Sequence, residues 1–170
     1  MKVIKALNFG CGNDFEKDNN AISWEHWDFQ KGDKIDKSFD FNKFPYPAKD
    51  NSFDFIKARQ ILQCLDYPKK VLDELNRILK IGGKLHIITN YWNSKGAYSY
   101  ILTRHYFSDT TFKKLVNDPD EIDQENKWEL ISIKRNKSWF VSWLPERILH
   151  YCDYFISGLF QDMEIILIKK

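Results

Sequence analysis

Gly10 and Gly12 flank Cys11 at the end of an apolar run, "LNFGCGND" (Leu7 to Asp14), and Asp28 follows sixteen residues after the second glycine. A strand that ends in G-x-G leaves its main chain bare, so a ligand can approach without meeting Cβ atoms. Open α/β sheets bind their ligands at that carboxyl rim. G-C-G alone fits both a nucleotide or cofactor loop and a tight structural turn. An acid closing the next strand separates the two, because a carboxylate there accepts from both ribose hydroxyls at about 1.5–3 kcal/mol per bond. A dinucleotide loop needs a third glycine where Phe15 stands, and no G-x-x-x-x-G-K-[ST] loop is present to hold a pyrophosphate. The pattern therefore points to a nucleoside without a phosphate clamp. A side chain at Gly10 is expected to fill the approach space and remove ligand binding while leaving the fold.

The remaining reactive residues exclude more than they suggest. Cys11, Cys64 and Cys152 are odd in number and contain no C-x-x-C pair, so neither a disulfide framework nor a metal site is expected. His26 and His86 lie in strand-like runs and read as structural. The net charge of +2, from 26 basic and 24 acidic residues mixed along the chain, gives no strong nucleic-acid signal. The first residues do not read as a secretory leader, and no apolar run reaches the ~20 residues of a membrane span. The expectation is a cytoplasmic protein.

These groups need a scaffold, and 170 residues with 43% hydrophobic content suffice for one domain spanning 1–170. Short strand-like runs alternate with helical periodicity, the pattern of an α/β sheet covered by helices. Strands are expected at 3–9, 21–28, 53–58, 84–89, 128–135 and 163–170, with a weaker, polar candidate at 34–41. The clearest helix is Pro68 to Lys80, where Val71, Leu72, Leu75, Ile78 and Leu79 share one face. Asp66 is its expected cap and Gly82-Gly83 its stop. A second helix is expected at about 109–116, and a third opens at Pro145, with Ile148, Leu149, Cys152, Phe155, Ile156 and Leu159 on one side.

In this setting the chain resembles the class I S-adenosylmethionine-dependent methyltransferases, in their short form with "LNLGCG" as first motif. The resemblance runs from Leu7 to Phe112 through "LNFGCGND", "WDFQ", "FDFNKFPYPAKDNSFDFI", "LDYPKKVLDELNRILKIGGKLHIIT" and "GAYSYILTRHYFS", in that order. It implies a Rossmann-like three-layer sandwich around a seven-stranded, mostly parallel sheet of order 3-2-1-4-5-7-6, the last strand antiparallel. The implied cofactor is S-adenosyl-L-methionine, with S-adenosylhomocysteine as product. By resemblance, Gly10 and Gly12, with the main chain of Phe9 and Cys11, lie along its methionine part. Asp28 holds the ribose, Asp40 accepts from the adenine amino group, Phe41 packs on the ring, and Arg59 stands where cofactor and substrate meet.

The substrate side departs from the family. Its N-H-V-L-E-H after the fourth strand is here Arg59, Gln60, Ile61, Leu62, Gln63, Cys64, and its D-P-T-H is Tyr100, Ile101, Leu102, Thr103. His105 is the one histidine left in that loop and the candidate general base, since imidazole titrates near neutrality. Arg104 is a candidate for an anionic substrate, and Tyr91 and Tyr98 for shaping its pocket. No [DNS]-P-P-[YFW] and no Pro-Cys motif are present, so the expected acceptor is a small molecule or a group presented by a partner protein. The alternative is a cofactor-binding but inactive subunit, and a homo- or hetero-dimer through the 145–160 helix is expected for either. A nicotinamide-dependent oxidoreductase is disfavoured by Phe15.

Overall fold

The computed structural model describes residues 3–118, 128–153 and 155–170. Seven strands form one sheet of order β3-β2-β1-β4-β5-β7-β6. They are β1 (Ile4–Phe9), β2 (Ile22–Asp28), β3 (Lys37–Ser38), β4 (Phe53–Arg59), β5 (Leu79–Asn90), β6 (Trp128–Lys137) and β7 (Phe160–Lys169). β7 runs antiparallel to both β5 and β6, and the other pairings described between β1 and β5 are parallel. Among the described residues three α-helices accompany them: α1 (Pro68–Ile78), α2 (Asp109–Asn117) and α3 (Glu146–Cys152). The order and the antiparallel last strand are those the sequence implied.

Register divides the sheet into two unlike faces. Leu7 pairs with Ile56, Ile56 with Leu85 and Leu85 with Leu167; Phe9 aligns likewise with Trp27 and Ala58. All of these side chains are fully or almost fully buried in one cluster, joined by Val71, Leu72, Leu75 and Ile78 of α1, Phe112 of α2 and Leu149 of α3. The alternation of buried and partly exposed residues along the second half of β5 has this cause.

The opposite face carries Asn8, His26, Lys57 and His86, which neighbour one another through the same registers. The connections 10–21, 29–36 and 39–52 contain no helix. At the carboxyl end the loop 13–18 lies over this face. Asn8 Nδ2 donates to the Asp14 carbonyl at 2.6 Å, the Glu16 N–H donates to His26 Nε2 at 3.1 Å, and Lys57 pairs with Asp14 and Glu16. Farther along, Trp24 and Phe55 meet edge to face, 5.7 Å apart. Of the two helical layers expected around the sheet, the described residues supply one, and this loop takes part of the place of the other.

Local expectations differ in instructive ways. The polar 34–41 run contributes only two strand residues. Asp66 does not cap α1, whose N-cap is Tyr67 with Pro68 in the first turn. Its carboxylate pairs with Arg104 instead. The helix ends at Ile78 rather than Lys80, because β5 begins at Leu79 and absorbs Gly82-Gly83 as an irregularity between the Phe53–Leu79 and Phe55–Lys84 pairs. The helix after Pro145 stops at Cys152. Asp153 is drawn inward by the Tyr91 hydroxyl at 2.7 Å and Asn93 Nδ2 at 2.9 Å, and Gly158 turns the chain into β7 at a φ of 80°. The expected common face therefore splits: Leu149 and Leu159 are buried, whereas Phe155 is 91% exposed.

Candidate active site at the carboxyl rim

β1, β4 and β5 deliver their last residues to one cavity of about 740 Å³, bounded by Gly10, Gly12, Asp14, Arg59, Gln63 and Asn90 among others. Its size falls within the ~300–1,000 Å³ of small-molecule sites. The two glycines differ in what they leave open. Gly10 has a φ of 71°, and a Cβ there would stand 2.6 Å from Ile61 Cγ1. Gly12 has a φ of 51° and nothing within 4 Å of its missing side chain. The crowding at Gly10 comes from the protein itself, contrary to expectation, and the bare approach belongs to Gly12.

The loop is tied to the acid of β2. The Gly10 and Cys11 N–H groups donate to the Trp27 carbonyl at 2.9 and 3.1 Å, and the Gly12 N–H donates to Asp28 Oδ2 at 2.7 Å. Asp28 Oδ1 accepts from the Gln30 N–H at 3.0 Å, and the residue is 3% exposed. A carboxylate has about four acceptor positions, so two remain after these bonds. Cys11 is buried, and desolvation together with the Asp28 charge pushes its thiol up to about 11. It is no nucleophile near neutral pH.

Asp14 faces two cations, Lys57 Nζ and Arg59 Nη1, each at 3.1 Å, and its carboxyl is held below the usual range chiefly by the Lys57 hydrogen bond. Arg59 is more than half exposed and lines the cavity. Gln60, next in the chain, adopts a φ of 54°, the left-handed region in which a side-chain-bearing residue is strained. Gln63 is buried beneath the cavity, donating to Gln60 Oε1 at 2.6 Å and accepting from the Thr89 hydroxyl at 3.0 Å. Its carbonyl accepts from the N–H groups of Arg104 and His105 at 2.8 and 3.1 Å. An amide thus satisfies, without charge, the position where the resemblance has a glutamate.

The predicted residues separate into a group that converges and a group that does not. Gly10, Cys11, Gly12 and Arg59 line the cavity, and Asp28 adjoins it through Gly12. Phe9 and Phe41 are core residues stacked on each other, 4.1 Å between centroids. Asp40 is exposed and its Oδ1 accepts from the Asn42 N–H. His105 lies beside Phe107, 6.3 Å between rings, and is not among the cavity-lining residues. Arg104 is engaged by Asp66. Tyr91 is buried on Asp153, and Tyr98 is exposed, stacked on Tyr106 at 4.9 Å. Sequence reasoning missed Asn8, Asn13, Gln63 and Asn90 as cavity residues. Their position at the ends of β1, β4 and β5 was the available signal, since ligands collect at that rim.

The residues present suit a small nucleoside thioether. Gly12 offers main chain with no side chain in the way, Arg59 offers a cation for a carboxylate, and Asp28 retains acceptor capacity behind the loop. Among the described residues no group of His, Cys, Asp and Glu could hold a metal ion.

Residues 11–87 match the family model described as a methyltransferase domain. An uncharacterised protein of Methanocaldococcus jannaschii, MJ1123, is 44% identical over 41 residues, covering 24% of this chain and 20% of that protein. The matched segment is thus about a fifth of that relative's length. A SAM-dependent methyltransferase from Archaeoglobus fulgidus superposes with a TM-score of 0.64 at 16% identity, over 99% of this chain and 86% of its own. The [4+2]-cyclase SpnF does so with a TM-score of 0.62 at 16% identity, over 98% and 75%. At such identities the likeness shows the fold, and a cyclase beside a methyltransferase shows that the fold hosts more than one chemistry. The methyltransferase domain matched at residues 11–87 and the strand order 3-2-1-4-5-7-6 are together consistent with the class I S-adenosylmethionine-dependent methyltransferases that the sequence resembles, whose cofactor is S-adenosyl-L-methionine.

Proposed function

We propose that the chain binds S-adenosyl-L-methionine in the cavity at the ends of β1, β4 and β5 and transfers its methyl group to a small or partner-presented acceptor. The observation that carries this reading is the open Gly12 main chain facing a cavity that also holds Arg59, with Asp28 bonded to the same loop. The amino-acid part of the cofactor lies along Gly10–Asn13, its carboxylate toward Arg59. The ribose reaches the remaining acceptor positions of Asp28, and Asp40, at the exposed end of the same rim, takes the adenine amino group. Phe41 supports this end from beneath, through its stack on Phe9.

When bound, the cofactor supplies a methyl group already activated on a sulfonium. The chain's own part is alignment, which contributes roughly 7–11 kcal/mol in well-oriented systems. Gln63 and Thr89 fix the floor, and the strained Gln60 holds the β4 exit against the cavity. Asp14, the acid lining the cavity, is occupied by Lys57 and Arg59. That arrangement suits an acceptor whose proton leaves to water. It also favours the second reading, an inactive cofactor-binding subunit that works through a partner. In either reading the exposed Trp143, Tyr151 and Phe155 around α3 are the dimerisation face.

Calorimetry tests the cofactor. S-adenosylhomocysteine is expected to bind, NAD not to bind, and Asp28→Ala to weaken the former by about ten- to a hundredfold, the loss of one or two charge-assisted hydrogen bonds. Binding of NAD alone would end the reading. Incubation with labelled S-adenosyl-L-methionine and cell extract separates the two forms: saturable binding with no labelled acceptor identifies the inactive subunit.

A further inference from the structure

A second cavity, of about 1,050 Å³, opens beside the first and shares Asn90, Gly96 and Ser99 with it. We infer that it is a binding site for a neutral saccharide, seated on Trp139 and held by side-chain amides, with one hydroxyl turned to the shared wall. Three observations carry this.

The first is the pairing of an open aromatic surface with uncharged polar groups. Trp139 is 81% exposed at the cavity edge, and Phe140 meets it edge-on, 6.0 Å away at 80°, so one broad indole face stays free. The polar lining consists mainly of Asn90, Asn93, Gln161 and serines. Amides and hydroxyls both donate and accept, as sugar hydroxyls do, while the apolar C–H face of a sugar ring suits an aromatic plane. Lys95 and Asp162 are the charged lining residues and offset each other. A phosphorylated or strongly anionic ligand would require a surplus of cations.

The second is an unmet acceptor. Asn93 is 7% exposed and lines the cavity; its Nδ2 donates to the Asp153 carbonyl and carboxylate, whereas its buried Oδ1 has no partner among the described residues. A buried polar atom without a partner is uncommon and costly, and a turn of the Asn93 amide toward the cavity on binding would let a ligand O–H supply the missing donor.

The third is the glycine at the boundary. A Cβ on Gly96 would stand 2.8 Å from Asn90 Oδ1, so the absent side chain lets the Asn90 amide lie between the two cavities. Its place orients a hydroxyl toward the first cavity. Methylation of such a hydroxyl would form one oxygen–carbon bond, break one sulfur–carbon bond with its electron pair kept by sulfur, and release one proton to water.

The role as acceptor site rests on the methyl-transfer reading, but saccharide binding does not, and the test keeps them apart. The full chain is titrated with methyl glycosides of neutral hexoses, 6-deoxyhexoses and N-acetylhexosamines, followed by saturation-transfer NMR and tryptophan fluorescence without cofactor. S-adenosylhomocysteine affinity is measured separately by calorimetry. At least one glycoside is expected to saturate at millimolar concentration, with Trp139→Ala weakening it about tenfold and leaving S-adenosylhomocysteine affinity unchanged. Trp139→Phe should restore part of the loss. The inference is overturned if no glycoside saturates, if Trp139→Ala binds as wild type does, or if sugar phosphates or lipid vesicles are preferred to the neutral glycosides. Loss of S-adenosylhomocysteine binding in the wild type would instead strike the methyl-transfer reading, with the NMR result standing on its own.

Discussion

Gly10 and Gly12 look equivalent in the sequence and are opposites in space. Side chains at positive φ cost about 1–2 kcal/mol at either position, but only Gly10 has a neighbour, Ile61, inside contact distance. Gly10→Ala is therefore expected to destabilise the fold by about 2–4 kcal/mol, and Gly12→Ala by about 1 kcal/mol, in urea unfolding. Adding Ile61→Ala to Gly10→Ala should recover part of the larger loss, as a coupling in a double-mutant cycle. Additive effects would show that the overlap with Ile61 is relieved elsewhere. Gly12→Ala is consequently the cleaner probe of ligand approach. The G-x-G pattern and Asp28 were legible because their meaning is local: a strand end, a turn, an acid on the next strand. The Ile61 contact and the left-handed Gln60 were not, since each depends on a partner or backbone angle that no spacing rule encodes.

At the scale of elements, α1 is held to the preceding loop by one charged cluster. Glu74 accepts from Arg77 at 2.8 and 3.0 Å and from the Tyr46 N–H at 2.6 Å, while Arg77 also reaches the carbonyls of Tyr46 and Ala48 and the Asp50 carboxylate. Burial alone would raise the Glu74 carboxyl, but Arg77 and the Tyr46 N–H outweigh it, so it sits below its ordinary 4.5. A depressed carboxyl stabilises the fold above its unfolded value and loses that contribution as pH falls through the folded one. Glu74→Gln should thus cost about 1.5–3 kcal/mol near neutral pH, and the gap from wild type should close as pH falls below the ordinary 4.5 and through the depressed folded value. Urea midpoints of both proteins across that range measure it; a gap independent of pH would assign the effect to shape rather than charge. The amphipathic stripe made α1 legible to within two residues. Its ends were not, because Asp66 had a stronger partner in Arg104 than the helix N-terminus, and β5 took the glycines that were expected to stop the helix.

For the whole molecule, the accessible surface is 10,388 Å². A compact 20.4 kDa monomer is expected to expose about 8,800 Å², so about 1,600 Å² is in excess. Two features account for surface of this kind: the sheet face crossed by loop 13–18 instead of helices, and the aromatic side chains around α3. Strand order was legible from the sequence of motifs, whereas the uncovered face follows from three connections too lean to form helices, which a family resemblance does not reveal. An ordinary protein–protein interface takes about 800 Å² from each partner, so an excess of that size is ample for one. The α3 region is the more apolar of the two features, with Trp143 at 77%, Tyr151 at 74% and Phe155 at 91% exposure, and large exposed rings of this kind mark association surfaces. The chain is therefore expected to sediment as a dimer at micromolar concentration, and Phe155→Ser to shift it toward monomer by at least tenfold in dissociation constant, the ~1.4 kcal/mol lost with one exposed ring at an interface. Because Phe155 lies outside the core, the variant should unfold at the wild-type urea concentration. Equal sedimentation of the two proteins would remove α3 as the dimerisation face and leave the sheet side as the remaining surface to examine by the same measurement with Trp24→Ser.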